Sequence, residues 1–149
     1  MERNQDYRLR RWGDPVLRER CADVDDFSED SDLEALLSAM YHIKAQHGGI
    51  GIAAPQVGDG RRVVLADVHG WTQEFVNPRI TARSGFRPSL EGCLSVPFLL
   101  LPKLRSSSIE MEYQDRHGVS HAGVFFGYDA TVLQHELDHL DGRLIVDYF

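Results

Sequence analysis

Cysteine is scarce in this sequence. Cys21 and Cys93 are the only two among 149 residues, too few for a disulfide framework. Long apolar runs are missing as well, and nothing approaches the roughly 18 residues that a membrane span needs. Positive charge is in deficit: 16 Lys and Arg stand against 23 Asp and Glu, a formal net charge of −7. A bulk field that could hold nucleic acid is therefore absent, and only Arg8, Arg10 and Arg11 form a small basic patch. Residues 1–11 contain no apolar segment, so no secretory signal is expected there. No internal repeat or low-complexity stretch is visible. These absences favour a reducing, cytoplasmic setting without membrane or nucleic-acid partners. In that setting a lone cysteine is free to serve as a metal ligand or a nucleophile.

What remains is an ordinary globular composition, 42% apolar and 26% charged, at the length of a single domain spanning residues 1–149. Leu33, Leu36, Leu37, Met40 and Ile43 recur at helical spacing, with Ser31 and Glu34 placed as a capping box and Gly48-Gly49 as a stop. Residues 61–68 read as a strand and Phe75-Val76 as a second short one. Residues 108–114 alternate in polarity, turn at residues 115–118, and can pair with 119–126 as a hairpin. Residues 129–140 form a second helix, with Asp129 as a cap and Gly142 placed to end it. The expected class is α+β: one domain of mixed, mainly antiparallel β-sheets around the C-terminal helix, plus an N-terminal helix.

That second helix carries His135-Glu136-Leu137-Asp138-His139, an HExxH pattern. Side chains at i and i+4 share a helix face, so both imidazoles can reach one metal ion with Glu136 beside it as general acid/base. A catalytic ion of this kind takes three protein ligands and leaves a position open. The ten residues after His139 offer only Asp141 and Asp147 as anionic side chains, with no Glu, His or Cys. Cys93, in the tight segment Glu91-Gly92-Cys93-Leu94-Ser95, is the better candidate, because a thiolate with two imidazoles suits a divalent first-row metal. His42, His47, His69, His117 and His121 lack ligand spacing, and Cys21 has no partner.

Three segments together resemble the peptide deformylase family. They are residues 49–56 (Gly49-Ile50-Gly51-Ile52-Ala53-Ala54-Pro55-Gln56), residues 91–95, and Gln134 followed by the HExxH pattern. Weaker likeness covers residues 13–18 and 76–80. The resemblance implies that Cys93, His135 and His139 hold one divalent ion, natively Fe²⁺, with Zn²⁺, Ni²⁺ or Co²⁺ able to replace it. It implies that Glu136 moves the proton, and that Gln56 and the Leu94 backbone N–H stabilise the developing oxyanion. Gly51 would offer its backbone to the substrate, with Gly49, Ile50 and Gly92 around it. Glu91 and Asp138 would brace the ligand histidines. Where many members carry Arg, this chain has Leu100; where Glu is frequent, it has Gly48. Tyr128, Thr131 and Val132 fall where the side-chain pocket is lined.

The activity so implied is hydrolysis of the formyl group, released as formate, from N-formyl-methionyl peptides or a related N-formyl amino compound. Ribosome-associated nascent chains are the implied source of substrate, and a monomer the implied state. The alternatives are a deformylase of a dedicated small-molecule pathway, a peptidase of the HExxH class, and a non-catalytic module that kept the fold. Many bacterial members continue into a further C-terminal helix. The expectation here is a short form of the fold, with residues 145–149 packing in that place.

Overall fold

A computed structural model describes residues 6–147. The helical spacing after Ser31 becomes α1, Leu33–Gln46, and it buries the five apolar residues of the expected stripe. The expected capping box does not form. Ser31 belongs to a short 3₁₀ turn, Glu29–Ser31. The residue preceding the helix is Asp32, in a left-handed conformation at φ 61°. The Ser31 hydroxyl instead accepts the Leu33 N–H at 3.3 Å.

Strand β1, Gly51–Ala53, follows, and then the 3₁₀ turn Ala54–Val57. Strand β2 is Val63–Val68, and β3, Trp71–Ser84, is far longer than the dipeptide expected around residue 75. Its pairing slips between Val76 and Arg79, at Asn77-Pro78. Proline cannot donate to a ladder, so a bulge is where such a residue fits. Asn77 takes φ 52° there, and its side chain bonds the Val24 backbone at both ends. Next come β4, Arg87–Cys93, and β5, Val96–Arg105, a hairpin absent from the sequence reading. Strands β6, Ser108–Gln114, and β7, Ser120–Phe126, form the expected hairpin. Helix α2, Gly127–Leu140, starts two residues earlier than expected. Asp129 does not cap it; its carboxylate accepts the His69 N–H at 3.1 Å.

Strands β1, β2, β3, β6 and β7 pair antiparallel in that order, and β4–β5 make a separate two-stranded sheet. Strand β2 is apolar on both faces except at Asp67, which pairs with Lys44 of α1, because both faces are covered. Val63 and Leu65 join the cluster of α1, whereas Val64, Ala66 and Val68 join that of α2 with Phe75, Ile109, Met111 and Phe125. Burying each such Val, Leu or Phe contributes about 1.5–3 kcal/mol. The molecule is therefore a single α+β domain with the large sheet between its two helices.

Helix α2 ends in a Schellman turn. The Gly142 N–H bonds the His139 carbonyl at 3.1 Å, and the Arg143 N–H bonds that of Asp138 at 2.9 Å. Gly142 has φ +75°, and a Cβ there would stand 2.4 Å from the Arg18 carbonyl oxygen. Residues Ile145–Asp147 form a last 3₁₀ turn with Ile145 buried and Asp147 paired to Arg18 at 2.6 Å. Tyr148 and Phe149, part of the expected terminal segment, lie outside the described residues, as do residues 1–5. Among the described residues no helix is long and apolar enough to cross a membrane.

Candidate active site

Helix α2 is buried on almost every side, yet its central residues are polar: Gln134, His135, Glu136 and His139 are each at most 9% exposed. Burial of that many polar groups is costly unless each is matched. Gln134 is fully engaged, exchanging two 2.9 Å hydrogen bonds with the Ser106 backbone, which docks the helix onto the β5–β6 connection. The two histidines lie one turn apart with ring centroids 5.2 Å from each other. The β4–β5 hairpin brings Cys93 to them, with Sγ 3.4 Å from His139 Nε2. One ligand atom each from Cys93, His135 and His139 falls within 4.8 Å of the others.

The donor set suits a divalent first-row ion: a thiolate and two imidazoles, converging from two elements. Glu91 Oε1 lies 3.0 Å from His135 Nδ1, which commits that nitrogen and leaves Nε2 for an ion. Glu136 Oε2 and His139 Nδ1 are buried with no hydrogen-bond partner in the protein. Buried polar atoms rarely stay unpaired, and the unpaired Glu136 Oε2, at the cavity lining beside His135, marks a place for another group.

The electrostatics follow from burial. Desolvation, helped by Asp138 and Glu91, pushes the Glu136 carboxyl up to about 7, against the pull of His135 and Arg105. Burial disfavours charge on His135, but the hydrogen bonds it donates to Cys93 and Glu91 win and hold its pKa up at about 10. Burial, together with the neighbouring His135 and Arg105, drives His139 well below its usual value, so it stays neutral. For Glu91, burial works toward protonation. Hydrogen bonds from Arg105, His135 and Ser89 outweigh it and keep the carboxylate ionised.

Gln56 is oriented by its surroundings. Its Oε1 accepts the Ala53 N–H at 2.9 Å, which turns Nε2 toward Ser95 Oγ at 3.2 Å and Cys93 Sγ at 3.7 Å. A buried amide donor thus points at Cys93. Gly51 passes close behind Glu136, and a Cβ there would sit 2.9 Å from Glu136 Cγ. Gly49 is similarly tight against Leu94, at 2.8 Å.

These groups open into a cavity of about 850 Å³. Gly49, Ile50, Gly51 and Gln56 line one side; Glu91, Gly92, Cys93, Leu94 and Leu100 line another. Tyr128, Thr131, Val132, His135 and Glu136 close it from α2, and Gly48 also faces it. His139 is behind the lining, 1% exposed. The five other histidines do not line it. Cys21 is buried away from the site, its thiol pushed up to about 12 by desolvation, which leaves it unreactive.

Asp138 differs from expectation: it contacts neither histidine and instead binds Arg105 Nη1 at 2.6 Å. Arg105 and Ser95 were missed by the sequence reading. Ser95 lies within a recognised segment and is fully buried, so its position alone could have flagged it. Arg105 carried no local signal.

Comparison with known proteins agrees with this geometry. Residues 7–149 match the family model for polypeptide deformylase. The chain is 40% identical over 144 residues to a peptide deformylase from Chlorobium limicola, covering 91% of this chain and 76% of that one. The crystal structure of peptide deformylase from Thermotoga maritima superposes with a TM-score of 0.91 at 38% identity, covering 96% of this chain and 97% of that one. A Met-Ala-Ser-bound peptide deformylase from Acinetobacter baumannii superposes with a TM-score of 0.88 at 30% identity, covering 96% and 98%. Likeness of this depth runs through the whole sheet and both helices, and it places the chain in the polypeptide deformylase family of hydrolases.

Proposed function

We propose that this enzyme removes the formyl group from N-formyl-methionyl peptides, with Cys93, His135 and His139 holding one divalent ion, natively Fe²⁺. The carrying observation is the convergence of those three donor atoms within 4.8 Å beside a buried carboxyl whose Oε2 has no partner. When bound, such an ion supplies Lewis acidity and makes water nucleophilic at neutral pH.

The protein's own groups do the rest. Glu136, poised near neutrality by its burial, takes the proton of the attacking water at Oε2 and returns it to the departing amine. Gln56 Nε2 donates to the formyl oxygen as negative charge develops there, aided by the Leu94 N–H that follows Cys93 in the hairpin turn. Strand β1 is the first strand in the order of its sheet, paired on one side by β2, and among the described residues no strand pairs its other edge, which at Gly51 can take an extended peptide. The methionyl peptide held by the Acinetobacter baumannii relative supports a substrate of that kind. The substrate is taken to be newly made chains met by a monomer in the cytoplasm.

The cavity wall is apolar at its outer end, where Leu90 and Leu100 are 67% and 63% exposed and Phe98 is fully exposed. An apolar wall favours apolar residues along the substrate. Rates of formate release from formyl-Met-Leu-Leu and formyl-Met-Ala-Ser should differ in favour of the first; equal rates remove this preference. The central test is formate release from metal-assayed, anaerobically purified protein. Chelation should abolish it and Glu136→Gln should lower kcat by at least about 10²-fold. Full turnover by the chelated protein would overturn the reading. Metal-loaded protein that releases formate from small N-formyl amines but not from peptides would point to a dedicated small-molecule role.

A further inference from the structure

The hairpin β4–β5 is inverted relative to an ordinary half-buried sheet. Its outward face carries Leu90 and Leu104, each 67% exposed, while Glu91 and Lys103 on the other face are 7% and 8% exposed. The inward polar face meets the polar flank of α2, and Arg105 stands at that junction with its side chain 10% exposed.

Arg105 uses three of its donors. Nε binds Glu91 Oε2 at 2.9 Å, Nη2 binds Glu91 Oε1 at 2.6 Å, and Nη1 binds Asp138 Oδ2 at 2.6 Å. Glu91 in turn holds His135 Nδ1 at 3.0 Å, and Ser89 Oγ also donates to Glu91. Glu91 is two residues from Cys93 on β4; Asp138 lies between His135 and His139 on α2. One guanidinium therefore ties together the two elements that carry all three candidate ligands.

We infer that Arg105 is a positioning residue that sets metal affinity. It keeps Glu91 oriented on His135 Nδ1, which presents Nε2 to the ion, and it fixes the separation between the Cys93 strand and the histidine helix. A planar fork with donors on two edges can hold both carboxylates at once, which an ammonium cannot reproduce. Without it, Glu91 is a buried carboxylate lacking its main counter-charge. Arg105 acts in this way only if Cys93, His135 and His139 hold a divalent ion, the reading set out above.

Cobalt binding separates the two statements. Wild-type protein, Arg105→Met and Arg105→Lys are stripped of metal and titrated with Co²⁺ against a competing chelator. The thiolate-to-cobalt absorption band reports Cys93, and far-UV circular dichroism reports the fold. Wild type should bind one Co²⁺ with that band. Arg105→Met should remain folded and bind about 10–100-fold more weakly, the usual cost of losing a partner behind a ligand histidine. Arg105→Lys should recover part of the affinity and remain several-fold weaker than wild type. A wild-type protein without the thiolate band overturns the metal reading itself. A wild type that binds normally beside a folded Arg105→Met of unchanged affinity overturns the role of Arg105 alone. If Arg105→Met does not fold, Arg105→Lys decides: several-fold weaker binding supports the inference, and wild-type affinity overturns it.

Discussion

Gly51→Ala is the sharpest probe of the proposed chemistry, because it moves Glu136 without changing its identity. A Cβ at position 51 would stand 2.9 Å from Glu136 Cγ and 3.1 Å from both Cδ and Oε1. Carbon atoms pack at roughly 3.5–4.0 Å, so the side chain must withdraw by roughly 0.5–1 Å. Glu136 also lines the cavity, so the carboxylate withdraws into that space and leaves its position beside His135. A misplacement of about 1 Å at a reacting group costs on the order of 10²-fold in rate, or about 2.7 kcal/mol of barrier. The φ of Gly51 is not in the left-handed region, so the strand itself can accept alanine. The expected outcome is a kcat for formate release about 10²-fold below wild type, with bound metal and melting temperature little changed. Gly60→Ala is the matched control, since nothing lies within 4 Å of its added Cβ, and it should behave as wild type. A Gly51→Ala enzyme within two-fold of wild-type kcat would refute the placement of Glu136 as the proton carrier.

Other consequences concern stability and ligand geometry. Gly142→Ala forces a Cβ to within 2.4 Å of backbone at φ +75°, so a loss of about 2–4 kcal/mol in urea unfolding is expected; a loss under 0.5 kcal/mol would contradict the packing of α2 on the Arg18 segment. Glu74 is drawn toward protonation by burial, yet hydrogen bonds from Arg116 and Tyr41 hold its pKa below the ordinary 4.5. A depressed carboxylate stabilises the fold above its unfolded pKa, and that contribution disappears as pH falls through the folded value. Glu74→Gln should accordingly flatten the acid limb of the stability curve below pH 4.5 and lower stability at neutral pH, as read by melting temperature across a pH series. Cys93→Ser should abolish the thiolate band of the cobalt protein while leaving circular dichroism unchanged, because Cys93 ends a hairpin strand rather than sitting in either apolar cluster.

Much of the molecule was legible from local pattern alone. Helical spacing located α1, an expected cap and a stop residue bracketed α2, alternation located the β6–β7 hairpin, and three short segments supplied residues that the fold brings to one cavity. Each of these signals arises within a few residues of chain, where side-chain periodicity follows directly from backbone geometry. The HExxH spacing places two imidazoles on one helix face whatever surrounds them.

Other features exist only in three dimensions. The β4–β5 hairpin escaped pattern reading because its polarity is reversed: its polar face is inward, toward a polar flank of α2, while Leu90 and Leu104 on the other face are exposed. Whether a charged residue is buried depends on what meets it, and Arg105 meets Glu91 across 14 positions and Asp138 across 33. Asp138 was expected on a histidine and proved to hold that arginine instead, a choice its own helix does not dictate. The 2.9 Å clearance between Gly51 and Glu136 likewise comes from packing β1 against α2. Sequence by itself determined which groups are present and which share a face. Tertiary structure decided which buried charges neutralise one another, because desolvation makes an unpaired charge too costly and the partner can come from any part of the chain.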